Sequence, residues 1–260
     1  MKVKDIISAI EEFAPACLQA EYDNTGLQTG SPSQEVHGVL VGFDCTPALV
    51  QEAVRRGCDM IVTHHPLIYH PLRSLNPEDP AAAPVIDAVK AGIAVYSSHT
   101  SIDKARGGVS WTMAEKLGLV NVRTLAPENA DGTGFGTVGD LPSALPAKEA
   151  VELVKKAFSL NVARTSALIG TPVKTIAMCG GSGTSLLADA LRAGAQMFVC
   201  GDITYHHFFV PEGFMVVDAG HFETEVEITR ILLSVIRKKF PNFVSLMSDS
   251  VGKANPVNYL

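Results

Sequence analysis

The stretch Met60-Ile61-Val62-Thr63-His64-His65-Pro66 decides how the fold is interpreted. A short apolar, β-branched run that is closed by polar residues and a proline predicts a buried central strand of an α/β sheet. Ligands of such sheets bind at the carboxyl ends of the strands, which is where His64 and His65 fall. The two imidazoles therefore point to a functional site, provided that the rest of the chain supplies partners for them.

Strands and helices alternate around this stretch. A strand is predicted over 36–43, a helix over 47–56, a second helix near 84–91 and another strand over 93–96. This alternation is typical of a parallel sheet.

The helix–glycine–strand unit occurs again in the second half of the chain. Its matching positions are Arg55, Gly57, Met60 and Val62 in the first copy, and Arg192, Gly194, Met197 and Val199 in the second. We therefore expect an α/β protein with two related three-layer lobes, whose mostly parallel sheets face a shared metal site. The first lobe would comprise residues 1–125 plus the C-terminal helix region 226–260, and the second residues 126–225, because 126–148 is rich in turn-forming residues.

Composition excludes several classes of protein. Of the 260 residues 47% are hydrophobic and 18% are charged, as in an ordinary soluble domain. A formal net charge of −6 disfavours nucleic acid as a partner. The five cysteines are scattered and form no C-x-x-C pair, which favours a reducing compartment. With no signal-peptide pattern and no long apolar run, the sequence predicts a cytoplasmic protein that contacts no membrane.

Histidines accumulate where strands are predicted to end. A single histidine is more often structural than a ligand, but several at equivalent places indicate a metal site, since imidazole is a common ligand of transition metals. His221 and Glu225 have the i, i+4 spacing that places two side chains on one face of a helix. Glu223 and Glu227 are interpreted instead as first-turn acids that complement the helix dipole.

Together with Asp103 at the next strand end, these residues form a candidate ligand set of His64, His65, Asp103, His221 and Glu225. Three imidazoles and two carboxylates are too few to close two cages, and they suit two divalent ions with open positions for water. Such pairs recur in metal-assisted hydrolysis. Mixed ligands of this kind do not distinguish Zn, Fe, Mn, Co and Ni.

Other motifs are weaker. Gly180-Gly181-Ser182-Gly183 follows a predicted strand, but it matches neither a dinucleotide-binding nor a Walker sequence. No G-x-S-x-G nucleophile elbow occurs, so no catalytic side chain is assigned. Three further residues are candidates for orienting a ligand or touching a substrate: His99, Asp202 and His207.

The motifs taken together resemble the NIF-three-like dinuclear metal-binding family, whose members carry the label GTP cyclohydrolase I type 2 homolog. The resemblance covers essentially the whole chain and is carried by Glu21 to Gln28, Thr63 to Leu67, Ser98 to Asp103, Gly201-Asp202 with Tyr205-His206, and Asp218 to Glu225. It implies the same five ligands, with Glu225 bridging two ions, and a toroidal homohexamer. Tyr22 stands where the family more often has Trp, outside the ligand set.

Two functions remain open at this point. The first is a metal-dependent hydrolase of a small phosphorylated or nucleotide-like substrate, for which cyclohydrolase activity does not follow from the motifs. The second is a metal-handling or regulatory interaction protein without turnover. A catalytic site keeps exchangeable positions and a structural site is closed, so five ligands for two ions favour the enzyme.

Overall fold

A computed structural model describes residues 1–259, and the chain divides into two compact units. The first unit comprises Met1–Ile102 and Ile228–Asn258, and the second comprises Asp103–Glu227 together with Tyr259. The sequence suggested divisions at 125/126 and 225/226, whereas the first observed division lies earlier, inside the short helix α4 (Thr100–Lys104). Two units that share one pattern of strands and helices confirm the predicted α/β class.

The first unit contains a five-stranded sheet in the order β1-β4-β3-β2-β11. Its strands are β1 (Gly26–Thr29), β2 (Gly38–Val41), β3 (Met60–Thr63), β4 (Ala94–Ser97) and β11 (Val244–Met247). All run parallel except β1, which pairs antiparallel with β4 at the edge. This order brings the carboxyl ends of β2, β3 and β4 side by side.

The helix α2 (Pro47–Arg55) shows why the sequence folds this way between β2 and β3. The hydroxyl of Thr46 accepts a hydrogen bond of 3.2 Å from the backbone N–H of Leu49, which caps the helix. Pro47 stands in the first turn, where its missing N–H costs nothing. Gly57 follows the helix with a φ of +65°, a left-handed conformation that favours glycine. The chain then enters β3, whose end carries the two histidines.

The second unit contains a six-stranded sheet in the order β5-β6-β8-β9-β10-β7. Its strands are β5 (Val120–Pro127), β6 (Gly134–Leu145), β7 (Arg164–Thr165), β8 (Val173–Ser182), β9 (Met197–Gly201) and β10 (Met215–Asp218). Pairing is parallel for β8–β9 and β9–β10 and antiparallel elsewhere. The parallel strands β8, β9 and β10 surround residues 192–199, where the repeat of the first lobe is predicted.

The internal repeat is visible in the backbone. In the first unit β3 lies between β2 and β4, and in the second unit β9 lies between β8 and β10, with the same parallel pairing. Gly194, which precedes β9, has a φ of +76° and matches Gly57. The two units therefore use the same helix–glycine–strand construction.

Three elements differ from the sequence prediction. The polar, glycine-bearing residues 21–28 predict a loop, but the structure has the edge strand β1 over Gly26–Thr29, because an edge strand needs no continuous apolar run. The turn-rich region 126–148 contains the whole of β6, a twelve-residue strand that pairs antiparallel with β5. The amphipathic pattern of residues 223–239 predicts one long helix, but the structure divides it into α8 (His221–Glu225) and α9 (Ile228–Lys239).

The helices are short. The remaining ones are α1 (Val3–Phe13), α3 (Ala83–Lys90), α5 (Val109–Lys116), α6 (Ala147–Phe158) and α7 (Leu187–Arg192). Among residues 1–259, no helix has the length and apolarity needed to cross a bilayer.

Candidate metal centre

His64 is completely buried just after β3, and its ring is fixed on one side. Its Nδ1 lies 3.0 Å from the carbonyl oxygen of Ser98, which follows the neighbouring strand β4. A carbonyl oxygen can only accept, so Nδ1 carries the proton and Nε2 presents its lone pair. The ring of Phe43 stacks on the imidazole at a centroid distance of 5.8 Å, which limits its rotation.

His65 is oriented by a carboxylate. Its Nδ1 lies 2.7 Å from Oδ1 of Asp44, the residue that leads from β2 toward α2. The backbone N–H groups of His64 and His65 both donate to the carbonyl of Phe43, at 3.2 and 3.3 Å, so the histidine pair is attached to the end of β2. In the sequence, Asp44-Cys45-Thr46-Pro47 has the pattern of a helix cap, and only the position of Asp44 just after β2 indicates its contact with His65.

His99 belongs to the same group in the first unit. One ligand atom each from His64, His65 and His99 can be chosen so that all lie within 4.8 Å of one another. The Nδ1 of His99 donates to Oδ1 of Asp23 at 2.7 Å. His99 was proposed only as a residue that orients a ligand or touches substrate, and here it lies among the imidazoles.

Asp23 is a buried carboxylate held by several donors. It accepts hydrogen bonds from the backbone N–H of Thr100 at 3.0 Å, from the Thr100 hydroxyl and from Thr25 Oγ1 at 3.0 Å. Burial by itself raises the pKa of Asp23, but the hydrogen bonds from His99 and Thr100 outweigh it and lower the pKa well below its usual range. Asp23 therefore stays ionised and keeps the His99 proton at Nδ1.

In the second unit, His221 and Glu225 meet on α8 as their spacing predicted. His221 Nδ1 lies 2.7 Å from Oδ2 of Asp202, and His221 Nε2 lies 2.9 Å from Oε2 of the buried Glu225. When Nδ1 of His221 carries the proton, Nε2 of His221 and Oε2 of Glu225 both present lone pairs, so a proton or a cation is needed between these two atoms. A separation of 2.9 Å is that of an ordinary hydrogen bond from a protonated imidazole, and it is also short enough for two atoms that bind the same metal ion.

A glycine makes room for the Glu225 carboxylate. Gly181 has a φ of +56°, and a Cβ at this position would lie 2.2 Å from Oε1 of Glu225 and 3.1 Å from Cε1 of His221. Its N–H donates to the hydroxyl of Thr224 at 3.0 Å. The Gly180 to Gly183 run was considered for phosphate binding, but its backbone instead packs against a carboxylate.

Asp103 supplies a second carboxylate in this unit. It lies in α4, and an oxygen of Asp103 can be paired with an oxygen of Glu225 within 4.8 Å. Burial, followed by the negative charge of Asp103, raises the pKa of the buried Cys179 thiol well above its ordinary value. Two carboxylates at this spacing repel each other, and a divalent cation would stabilise both.

His207 lies apart from these groups. It is exposed in a 3-10 turn over Tyr205–Phe208, where its Nδ1 is 2.8 Å from the hydroxyl of Thr204. Within residues 1–259, no group of three potential metal ligands includes it.

The four imidazoles share one arrangement that fits a metal. In each, Nδ1 contacts an oxygen that can accept its proton, from Ser98, Asp44, Asp23 or Asp202. Ligating histidines almost always donate the other ring N–H in this way, because it fixes the tautomer and increases the basicity of the binding nitrogen. The His, Asp and Glu side chains of both units could therefore bind metal ions.

Known proteins share the sequence and the fold of this chain. The chain is 36% identical over 261 residues to the GTP cyclohydrolase 1 type 2 homolog of Lactococcus lactis, covering 98% of both chains. It is 32% identical over 259 residues to the protein of that name from Clostridium perfringens, covering 97% of this chain and 98% of the relative. The crystal structure of a Bacillus cereus protein related to NIF3 has the same fold, with a TM-score of 0.91 at 23% identity over 100% of this chain and 99% of that one. The family described as Duf34/NIF3 (NGG1p interacting factor 3) matches residues 1–252, and the chain belongs to this family.

Proposed function

We propose that the protein is a dinuclear, divalent-metal-dependent hydrolase of a small phosphorylated or nucleotide-like substrate. The observation that carries the proposal is a shared arrangement: in His64, His65, His99 and His221 the Nδ1 atom lies 2.7–3.0 Å from an oxygen that can accept its proton, which directs Nε2 toward a ligand. A single histidine can make the same contact, as His37 does with Asp59, but His64, His65 and His99 also offer ligand atoms within 4.8 Å of one another.

The proposed ligands are His64, His65, Asp103, His221 and Glu225. One ion would be held by His64 and Asp103 and the other by His65 and His221, with Glu225 shared. Of these five residues, the first unit contains His64 and His65, and the second contains Asp103, His221 and Glu225. Two divalent ions against two carboxylates leave a positive balance, which favours hydroxide or an anionic substrate. Zn, Fe, Mn, Co and Ni all suit these ligands.

Bound divalent ions would supply electrophilic activation and a water of lowered pKa. The chain's own residues then position what reacts. Because Asp23 holds the His99 proton at Nδ1, Nε2 of His99 is available to accept a hydrogen bond from a substrate or water. Asp202 keeps His221 in the corresponding tautomer through its 2.7 Å contact with Nδ1. The relatives' name refers to GTP, an anionic nucleotide, which agrees with the charge balance but assigns no reaction to this chain.

One observation favours the second function, a metal-handling or regulatory interaction protein. His64, His65 and His99 form an all-imidazole group, and a third imidazole could close the coordination of one ion. A closed site is structural, whereas a catalytic site keeps an exchangeable position.

Elemental analysis and turnover separate the two functions. We expect close to two divalent ions per chain and hydrolysis of at least one member of a panel of nucleotides and sugar phosphates. His65→Ala should abolish turnover. His37→Ala is the matched control, because His37 also contacts an aspartate, Asp59, at 2.7 Å but is exposed and belongs to no metal-binding group of the described residues. Full metal content without any turnover, together with a His65→Ala effect on metal content alone, would favour metal handling.

We also propose a cytoplasmic location and assembly as a homohexamer. All five cysteines are free thiols, and four of them are buried, which suits a reducing compartment. The hexamer follows from the family resemblance. Light scattering should then report six times the chain mass of 27.6 kDa.

A further inference from the structure

The segment that follows the histidine pair encloses a cavity of about 450 Å³. It is lined by residues 66–74 together with Asp79 and Ala81, all in the first unit. A volume of this order is in the range of small-molecule sites. Pro66 and Pro71 lie in its wall and restrict the backbone, so the cavity does not require a large ordering step when a ligand binds.

This segment is attached to the region that precedes the edge strand. The side-chain amide of Asn24 donates to the carbonyl of Ile68 at 2.6 Å, and the N–H of Ile68 donates to Oε1 of Gln28 at 3.3 Å. Asn24 and Gln28 also contact each other at 3.1 Å. Asn24 and Gln28 of the Glu21 to Gln28 motif thus hold the cavity wall at Ile68. Asp23 of the same motif orients His99.

The cavity adjoins the imidazole group. The ring of Tyr69 lies edge-on to His99, at a centroid distance of 5.9 Å and an angle of 88°. Tyr69 is 44% exposed, and its other neighbour is the ring of His70 at 4.6 Å. A ligand that stacks on Tyr69 would therefore extend toward His99.

The cavity wall contains one guanidinium, that of Arg73, which could bind an anionic group. Arg73 is exposed and takes part in no ion pair among residues 1–259. Asp79, the one acidic residue of the lining, uses Oδ1 to accept the N–H of Ala81 at 2.9 Å. The guanidinium is thus available for a phosphate or carboxylate, which it can bind through two parallel hydrogen bonds.

We infer that this cavity binds the part of the substrate that lies away from the ions, and that this part is a planar ring bearing an anionic group, stacked on Tyr69 and paired with Arg73. Such a ligand would be the substrate class of the proposed hydrolase, so its role as a substrate rests on the proposed function. The ring and the anionic group could belong to a nucleoside phosphate or to an aromatic carboxylate, which share this chemistry.

Calorimetric titration of the full chain as purified tests the inference. The probes are AMP and GMP, which carry ring and phosphate, benzoate, which carries ring and carboxylate, and ribose 5-phosphate, which has no aromatic ring. We expect binding of a ring-bearing probe and at least fivefold weaker binding of ribose 5-phosphate, since base–aromatic stacking contributes about 1–3 kcal/mol. The stronger of the nucleotide and benzoate arms identifies the source of the ligand.

Variants of two exposed side chains locate the site. Tyr69→Ala should weaken the best probe at least about fivefold, whereas Tyr69→Phe should retain it. Arg73→Ala should weaken it about tenfold or more, because a charge-assisted hydrogen bond is lost. Tyr205→Ala and Arg55→Ala are matched controls on exposed residues outside this cavity and should leave binding unchanged.

The outcomes separate the inference from the proposed function. If the metal content is two per chain but no ring-bearing probe binds, or Tyr69→Ala binds as the wild type does, the inference is overturned and the hydrolase proposal stands. If the chain carries no metal yet binds a probe through Tyr69 and Arg73, the cavity assignment is supported and the hydrolase proposal fails.

Discussion

Asp23 accepts a 2.7 Å hydrogen bond from Nδ1 of His99 inside the first unit. The carboxylate is buried and ionised, with further donors from Thr25 and Thr100. We expect Asp23→Asn to lower the free energy of unfolding by about 2 kcal/mol, since hydrogen bonds to charged groups contribute roughly 1.5–3 kcal/mol. Urea denaturation at neutral pH measures this change.

The control for this variant is Glu12→Gln, which changes the exposed Lys239–Glu12 pair. An exposed pair contributes at most about 1 kcal/mol, so its loss should be the smaller one. Equal losses in the two variants would show that burial of Asp23 adds nothing to the stability of the fold.

Gly181→Ala should displace the Glu225 carboxylate, because the added Cβ would lie 2.2 Å from Oε1. We expect a loss of at least half of the bound metal and destabilisation of about 1–3 kcal/mol from the backbone strain at positive φ. Gly194→Ala is the matched control, with a φ of +76° and nothing within 4 Å of the new Cβ. It should show the strain alone and retain its metal. Equal metal content in both variants would contradict the role of Gly181.

Glu225→Gln should remove most of the metal, because the substitution takes one negative charge from a ligand proposed to be shared by both ions. Elemental analysis of the purified variant measures this. Glu223→Gln changes a neighbouring acid of the same helix that was interpreted as a dipole partner, and it should bind metal normally. Wild-type metal content in Glu225→Gln would rule out the bridging role.

The contact between α2 and the segment after β11 should be sensitive to acid, because the Glu52 carboxylate accepts its hydrogen bonds. Burial raises the pKa of Glu52, but hydrogen bonds from the Ser248 hydroxyl at 2.6 Å, from the Asp249 N–H at 2.9 Å and from Arg56 outweigh it and lower the pKa below 4.5. A lowered folded-state pKa means that the carboxylate stabilises the fold above pH 4.5, and that this stability is lost as the pH falls through the folded-state pKa.

Urea denaturation between neutral pH and roughly pH 3 tests this sign. The Glu52→Gln variant should be less stable than the wild type at neutral pH, and the difference should shrink on acidification. Glu12→Gln, which alters an exposed partner of Lys239, should show little change at any pH. A difference that grows as the pH falls would contradict the assignment.

The sequence predicted the central part of the fold and the clustering of histidines for clear physical reasons. Parallel strands that are buried on both faces read as short apolar runs, so Met60 to Thr63 and Met197 to Gly201 were visible without a structure. The i, i+4 relation of His221 and Glu225 requires only one helical turn. This relation depends on residues that are close in sequence, so it can be predicted without knowledge of the tertiary structure.

The residues that orient the histidines were harder to predict. Asp23 and Asp44 lie in polar segments that resemble a loop and a helix cap, and their roles depend on neighbours that are close in the sheet but remote in sequence. The edge strands β1 and β11 were missed for a related reason. Both are only partly buried, unlike the equally short central strands, so they lack the continuous apolar run that marks a central strand.

The pairing of β1 with β4 has a consequence for engineering. The register joins Gly26 to Ser97, and the segment just before it carries both Asp23, which orients His99, and Asn24, which holds Ile68. The His99 imidazole and the cavity wall at Ile68 are therefore both positioned by the segment that leads into the edge strand β1. The cavity segment could be exchanged for that of a relative to change which ligand is recognised, and the chemistry would keep its alignment as long as Asn24, Gln28 and the backbone at Ile68 are preserved.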